Sequence, residues 1–294
     1  MASALFRLPD HQVDVLLAPY AAAARIRRMS TLLGVAALAV AIVLAGLMSE
    51  IKPANFLQNL HKFPDYIGRI FFLDDGRLVF ADFGEWYWGL GKWLAKLGDT
   101  LLIAYLGTLM GAIGGFLLCF AASNNLTTSK TARFISRRFL EFFRTVPELV
   151  FALLFVVAFG LGPLPGVLAI FIHTMGALGK LFSEVVENID MKTVDGALAS
   201  GASRWQVIRF AVVPQILTNF ISYALLRFEI NVRGASVMGF VGAGGIGQDL
   251  IEAIRKYYYS DVSAILLLII GCVMVIDVLT ERIRHGLLSM ERAT

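Results

Sequence analysis

Six runs of apolar residues, each about 20 residues long, are the feature of this sequence that most constrains its fold. At 1.5 Å per residue, a helix of about 20 residues crosses the roughly 30 Å hydrocarbon core of a bilayer. The composition agrees, because 57% of the residues are hydrophobic and only 16% are charged. We therefore predict an all-α integral membrane protein with about six transmembrane helices.

The predicted spans are separated by short polar connections and by one long one. They cover residues 30–48, 100–122, 146–161, 164–182, 216–237 and 262–279. Glycine and proline at 160–163 end the third helix and begin the fourth, so these two helices are expected to form a hairpin.

Arginines precede the first run, as they do in a signal peptide. That run is too long for a signal peptide and no clear cleavage site follows, so we interpret it as a retained anchor.

The basic residues indicate the topology, because loops rich in Lys and Arg stay in the cytoplasm. Such residues cluster in both tails, between the second and third spans, and between the fourth and fifth. We predict a multi-pass protein with both termini cytoplasmic, and we attribute the formal charge of +4 to topology and not to nucleic-acid binding. The predicted segments are a cytoplasmic tail 1–29, a first helix 30–48, an external segment 49–99, a core 97–279 with a cytoplasmic loop 190–214, and a cytoplasmic tail 280–294.

The external segment is the longest connection. Its length and its seven acidic residues weaken the rule that would keep its six basic residues inside. Near its end, Trp86, Trp88 and Trp93 are mixed with lysines, a pattern typical of helices in the lipid headgroup layer. We interpret this part as an interfacial anchor that leads into the second span, in preference to a binding role.

The loop between the fourth and fifth spans carries the most informative motif. Gly196 and Ala197 are small enough for another backbone to approach closely. Gly201 allows a bend between two short helices, and Pro214 limits where the next helix can begin. A helix–bend–helix of this size has little core of its own, so we expect it to dock on a partner.

This loop resembles the coupling loop of ABC importer permeases, in which E-A-A, three residues, G, nine residues and I-x-L-P follow one another. Asp195, Gly196 and Ala197 occupy the E-A-A positions, Gly201 the glycine position and Pro214 the proline position. The resemblance implies a type I importer permease fold and alternating access. It also implies ABC ATPase subunits on the loop, an external solute-binding protein, and a second permease chain, either identical or a close relative. The sequence contains no G-x-x-x-x-G-K-[ST] motif, so we expect ATP hydrolysis in a separate subunit.

Three further stretches are most similar to the permeases of phosphonate transporters: residues 144–150, 173–182 and 241–248. The resemblance implies that the solute is a phosphonate or a related phosphorus oxyanion. Methionine-type permeases share the third stretch, so methionine or another small solute remains an alternative. An ion-coupled secondary transporter is a second alternative, although the paired broken helices typical of that class are not visible in the sequence.

Charged side chains inside predicted spans are candidates for the solute pathway, because each costs about 2.5–3.5 kcal/mol on insertion scales and usually faces the protein interior. The pathway candidates are the charged residues Glu148, Arg227, Glu229 and Arg233, together with the neutral Asn231. Glu229 and Arg233 are i,i+4 neighbours and could instead form a local ion pair. Arg227 points to another side of the helix, and we expect it to be the better candidate for a weak contact with an anion near the dimer axis.

Gly242, Gly244, Gly245 and Gly247 form a glycine-rich stretch after the fifth span. Three of them satisfy the G-x-G-x-x-G pattern of dinucleotide-binding folds, which requires a βαβ unit around it. Because the flanking segments are membrane spans, we interpret this stretch as a tight turn at which helices pack closely. We expect the protein to have no cofactor, metal ion or catalytic residue. We expect membrane lipid to surround it.

Overall fold

The computed structural model describes residues 10–49, 53–73 and 75–293. Residues 1–9 of the predicted tail, residues 50–52 and 74 of the predicted external segment, and residue 294 lie outside the described residues. Within the described ranges the chain is helical, with one isolated β-bridge between Phe72 and Leu78 and no strand. The predicted all-α class is confirmed.

The described part of the chain contains thirteen α-helices, numbered here in chain order. They are α1 Asp10–Met48, α2 Pro53–Asn59, α3 Lys62–Ile70, α4 Phe83–Trp86, α5 Leu90–Ala122, α6 Lys130–Thr145, α7 Glu148–Phe159, α8 Pro163–Glu187, α9 Met191–Ala199, α10 Arg204–Val207, α11 Val213–Met238, α12 Gly247–Lys256 and α13 Tyr259–Ala293. A π-helical turn, Ile208–Val212, joins α10 to α11, and two 3-10 turns lie at Val79–Ala81 and Gly239–Val241.

Residues 1–65 form one compact unit and residues 66–294 form another. In the first unit, α1 is a single helix of 39 residues. Its segment Ala23–Met48 is long and apolar enough to cross a membrane. This segment contains the predicted first span, but the helix begins well before it, so residues 10–29 of the predicted tail are helical.

In the second unit, four helical segments have the length and composition of membrane spans. They are Leu90–Ala122, Pro163–Glu187, Arg204–Val241 and Tyr259–Leu287. Together with the segment in α1, the described residues therefore provide five candidate spans, or six if the bent pair formed by α6 and α7 is one span. This agrees with the predicted number of about six.

The third predicted span, 146–161, differs from the structure. The helix in this region, α7, has 12 residues, or about 18 Å, and is too short to cross a bilayer alone. It follows the amphipathic helix α6 at an angle of 86°. The reason is Pro147, which lacks an N–H and disfavours a helical conformation at the preceding Val146, whose ψ is 125°.

Glycines bring α5 and α8 into backbone contact at the centre of the second unit. Gly107, Gly111 and Gly115 lie four residues apart on one face of α5. A Cβ atom at Gly107 would lie 2.6 Å from Cβ of Ile170, and one at Gly115 would lie 2.8 Å from the backbone nitrogen of Gly179. This is the small-residue packing typical of membrane helices.

The tryptophans near residue 90 are placed differently from the prediction. Trp86 and Trp93 are each 2% exposed and belong to a core cluster with residues of α12 and α13. The indole of Trp86 donates to the hydroxyl of Ser263 at 3.0 Å. Trp88 is 68% exposed, and its indole donates to the carboxylate of Asp261 at 2.9 Å. Trp86 and Trp93 therefore pack inside the protein and not against lipid, and the position of this segment in the headgroup layer stays a prediction.

Candidate functional site

The loop between α8 and α11 folds as two short helices joined by a bend. Gly201 has φ of +83°, a left-handed conformation that favours glycine. The backbone N–H of Gly201 donates to the carbonyl of Leu198 at 2.9 Å and closes the end of α9. At the other side of the bend, Ser203 and Gln206 form a capping box that begins α10. The bend predicted at Gly201 is thus built by local sequence.

The outer surface of α9 is exposed and uncrowded. Asp195 and Gly196 are exposed, and a Cβ atom at Gly196 would meet nothing within 4 Å. Leu198 is 52% exposed, and the one buried residue of α9 is Val194. The chain's own packing therefore does not require a glycine at position 196, which leaves this surface free for another molecule.

Pro214 marks the return of the loop into the long helix α11. The turn before it is π-helical, with the N–H of Val213 donating to the carbonyl of Ile208. Gln215, in the first turn of α11, connects the two ends of the loop. Its amide accepts from the N–H of Asp190 at 2.9 Å and donates to the carbonyl of Ala211 at 2.7 Å. We had not predicted a role for Gln215, because its partner lies 25 residues away in sequence.

Two pathway candidates, Glu148 and Arg227, meet between α7 and α11. Nη2 of Arg227 lies 3.9 Å from Oε2 of Glu148, and the two side chains are 15% and 23% exposed. Each residue is a predicted pathway candidate, but the sequence does not predict that they pair. No local spacing relates a residue of α7 to one that is 79 positions later, so only the tertiary fold brings them together.

Glu229 and Arg233 form the i,i+4 ion pair considered above, with the guanidinium donating to the carboxylate. Arg233 also lies 3.8 Å from the carboxylate of Asp277 on α13. The side chain of Arg233 is 51% exposed, whereas that of Glu229 is 15% exposed. Of the two arginines, Arg233 is therefore the more accessible, although Arg227 was the preferred candidate.

Asn231 differs from the other pathway candidates because it has no exposed surface. Its amide nitrogen donates to the hydroxyl of Thr108 on α5 at 2.7 Å and to that of Thr174 on α8 at 2.9 Å. This side chain joins three helices of the same chain. We therefore correct its assignment from a pathway residue to a packing residue.

The glycine-rich stretch after α11 forms a compact turn. Gly242, Gly244 and Gly245 have φ angles of +82°, +87° and +81°. A Cβ atom at Gly245 would lie 2.6 Å from the hydroxyl of Thr100, which accepts the N–H of Ile246 at 2.9 Å. A Cβ atom at Gly247 would lie 3.2 Å from Cα of Gly239. These angles and contacts are those of a tight turn between closely packed helices, and no strand adjoins it in the described parts of the chain.

The described residues contain no group of three or more His, Cys, Asp and Glu side chains placed to hold a metal ion. The arrangement instead combines a bundle of long apolar helices, a few charges inside it, and an exposed helix–bend–helix loop. These features define a multi-span membrane transport component. The chain belongs to the family described as binding-protein-dependent transport system inner membrane component, whose model matches residues 107–287. The resemblance to ABC importer permeases is confirmed, and the chain is a transport subunit, not an enzyme.

Three curated relatives illustrate this membership. The phosphite transport system permease protein PtxC of Stutzerimonas stutzeri is 39% identical over 196 residues, which are 67% of this chain and 71% of the relative. The phosphate-import permease protein PhnE of Mycolicibacterium smegmatis is 38% identical over 66% of this chain and 37% of its own length. The putative cryptic phosphonate transport system permease protein PhnE2 of Escherichia coli K12 is 50% identical over 40% of this chain and 96% of its own.

Solved structures share the fold. The inward-facing MetNI methionine ABC transporter matches with a TM-score of 0.57 and 18% identity over 66% of this chain and 95% of that chain. A bacterial ABC transporter that imports the acidic polysaccharide alginate matches with a TM-score of 0.58 and 15% identity over 82% of this chain and 95% of that chain. These similarities confirm the ABC importer permease fold.

Proposed function

We propose that this chain is the permease subunit of an importer that moves a phosphonate, phosphite or related phosphorus oxyanion across the bacterial cytoplasmic membrane by alternating access. The observation that supports this solute class is the group of relatives above, which are described as permeases for phosphite, phosphate and phosphonate. The part of the chain that matches the family, residues 107–287, contains the loop and all the charged pathway candidates.

The partner for α9 and α10 in this proposal is the ATPase subunit. Asp195, Gly196 and Ala197 present a small-residue surface, and the φ angle at Gly201 sets the direction of the second helix. The open space around Gly196 supports this role, because a partner's backbone could approach it closely. Rotation of the ATPases would then act on α11 through Pro214.

A second permease chain is proposed to cover one face of α11. Leu226, Ile230, Arg233 and Val237 follow each other at helical spacing and are between 37% and 51% exposed. Arginine is costly in contact with lipid. The presence of Arg233 in this row of residues therefore supports the proposal that this face of α11 lies against another chain or an aqueous path. Arg227, Arg233, Glu148 and Glu229 would line this path, and Asn231 would not.

The proposed orientation follows the distribution of basic residues. Both termini and the loop that contains Gly201 are cytoplasmic, and the turn at Gly245 is external. The external binding protein would deliver the solute on the side of this turn. The solute would leave on the side of the loop.

Reconstitution tests the proposed function. The permease is assembled with its ATPase subunits in proteoliposomes, and ATP hydrolysis and uptake are measured with the binding protein loaded in turn with methylphosphonate, phosphite, phosphate, sulfate or methionine. We expect stimulation of both activities by at least one phosphorus oxyanion and not by sulfate or methionine. Stimulation by methionine alone would show that the solute is methionine and not a phosphorus oxyanion. Failure to copurify with any ATPase would contradict the importer assignment.

A further inference from the structure

The ion pair between Glu148 and Arg227 is incompletely hydrogen bonded. Its closest approach of 3.9 Å exceeds the 2.7–3.2 Å range of a hydrogen bond between nitrogen and oxygen. Nε of Arg227 and Oε2 of Glu148 are both buried, and neither has a hydrogen-bond partner among the described residues. Buried polar atoms without partners are rare because they are costly. A ligand with several acceptor oxygens would satisfy this guanidinium better than the carboxylate does.

Gly234 determines where the carboxylate of Glu148 lies. Arg227 and Gly234 are seven residues apart on α11, which places them two turns apart on the same face. A Cβ atom at Gly234 would lie 3.3 Å from Cδ of Glu148 and closer still to Oε1. The carboxylate therefore rests against bare backbone of α11, within range of the charge of Arg227.

The backbone before Glu148 is held by α8. Nδ1 of His173 donates to the carbonyl oxygen of Val146 at 3.0 Å. A Cβ atom at Gly176 would lie 2.7 Å from the backbone nitrogen of Arg144, so the last turn of α6 also packs directly on α8. Because these contacts hold the bend, the carboxylate of Glu148 can leave Arg227 by a side-chain rotation without moving the bend.

We propose that Glu148 is an internal competitor for the transported anion at Arg227, and therefore a residue that sets how tightly the anion is held. This inference rests on the proposed function. In the empty path, the carboxylate offsets the charge of Arg227. A phosphonate or phosphite group, with three acceptor oxygens, supplies the acceptors that the guanidinium of Arg227 lacks and displaces the carboxylate.

The same competition keeps the site weak. An arginine without a nearby carboxylate would hold a phosphorus oxyanion tightly and slow its release, and conduction requires that binding allow departure. When the carboxylate of Glu148 returns to Arg227, it favours release of the anion. Loss of Glu148 should therefore strengthen binding and slow transport, which is the opposite of what loss of a simple contact residue does.

The test measures equilibrium binding of methylphosphonate to the purified permease–ATPase complex in nanodiscs, without binding protein, together with uptake per assembled complex in proteoliposomes. We expect Glu148→Gln to bind about tenfold more tightly or better, from the strength of charge-assisted hydrogen bonds, and to transport more slowly. Arg227→Gln should lose binding, and the double variant should behave as Arg227→Gln does. Glu252→Gln, which removes a carboxylate from the exposed pair with Lys256 on α12, is the matched control and should match the wild type.

Equal binding by the wild type and Glu148→Gln, or no binding by Glu148→Gln, would overturn the proposal. If Glu148→Gln does not assemble, Gly234→Ala replaces it, because the added Cβ displaces the carboxylate without removing a charge. Binding by Gly234→Ala should also tighten, and unchanged binding would overturn the proposal. Uptake by the wild type distinguishes failure of the proposed function from failure of the proposed role of Glu148. If the wild type transports no phosphorus oxyanion, the proposed function has failed; if it does and binding does not tighten, only the role of Glu148 has failed.

Discussion

Replacement of Gly201 should uncouple transport from ATP hydrolysis because it strains the backbone, and not because it removes a contact. A Cβ atom at this position would meet nothing within 4 Å, so the neighbours do not oppose a side chain. The φ angle of +83° does oppose it, because a left-handed conformation costs a residue other than glycine about 1–2 kcal/mol. At 1.4 kcal/mol for each factor of ten, the equilibrium constant for the bent form of the loop should fall about 5- to 30-fold.

The assay is ATP hydrolysis stimulated by loaded binding protein in proteoliposomes, with copurification of the ATPase as a second measurement. We expect activity to decrease in the order wild type, Gly201→Asn, Gly201→Ala, Gly201→Val. Asparagine tolerates left-handed angles, and valine adds a branched Cβ. Gly196→Ala is the matched control. Gly196 has no positive φ and equally open surroundings, so any defect there must come from the partner's surface.

Two results would refute this reasoning. If Gly201→Val retained full stimulated activity, the bend would not matter for coupling. If Gly201→Asn were as defective as Gly201→Val, the position would act through a contact that excludes any side chain, and the backbone argument would be wrong. In both cases the amount of membrane-inserted permease must match the wild type, because the substitution lies outside the membrane-spanning core.

Three further predictions address topology, the loop and the core. In a cysteine-free background, Lys256→Cys should react with an impermeant thiol reagent in intact cells and Ser200→Cys should not; labelling of Ser200→Cys would contradict the orientation. Gln215→Ala should lower the melting temperature of the purified complex, because each lost hydrogen bond contributes about 0.5–1.5 kcal/mol, and an unchanged value would refute its connecting role. Asn231→Ala should destabilise the fold by about 1–3 kcal/mol, since the hydroxyls of Thr108 and Thr174 both lose the donor that Asn231 supplies, yet spare uptake per assembled complex. Altered uptake at matched assembly would return Asn231 to the pathway.

The parts of the structure that sequence predicted well depend on local information. Apolar runs identify spans because a bilayer imposes a length and a composition on any helix that crosses it. The bend at Gly201 and the helix start near Pro214 follow from conformational limits of single residues. The ion pair of Glu229 and Arg233 follows from the i,i+4 geometry of any helix. Each of these inferences uses a stretch of about 25 residues or fewer, which is the length of one membrane span.

The misplaced features depend on partners that are distant in sequence. A tryptophan in a headgroup layer and a tryptophan in a core give the same local pattern, and the contacts of Trp86 with α13 decide between them. Asn231 lies on the same helix as Arg227 and Arg233 but points to α5 and α8. The pair of Glu148 and Arg227 requires the bend at Pro147 as well as the approach of α11. Local sequence contains none of this information.

The glycine contact between α5 and α8 has a mechanical consequence for alternating access. Where the backbones meet at Gly115 and Gly179 without a side chain between them, no rotamer change can let one helix slide along the other. Any step along the axis would drive Ile170 into the next turn of α5. We therefore expect the two helices to move as one body through the transport cycle, and the motion that opens and closes the path to occur at other contacts, among them those of α7 and α11.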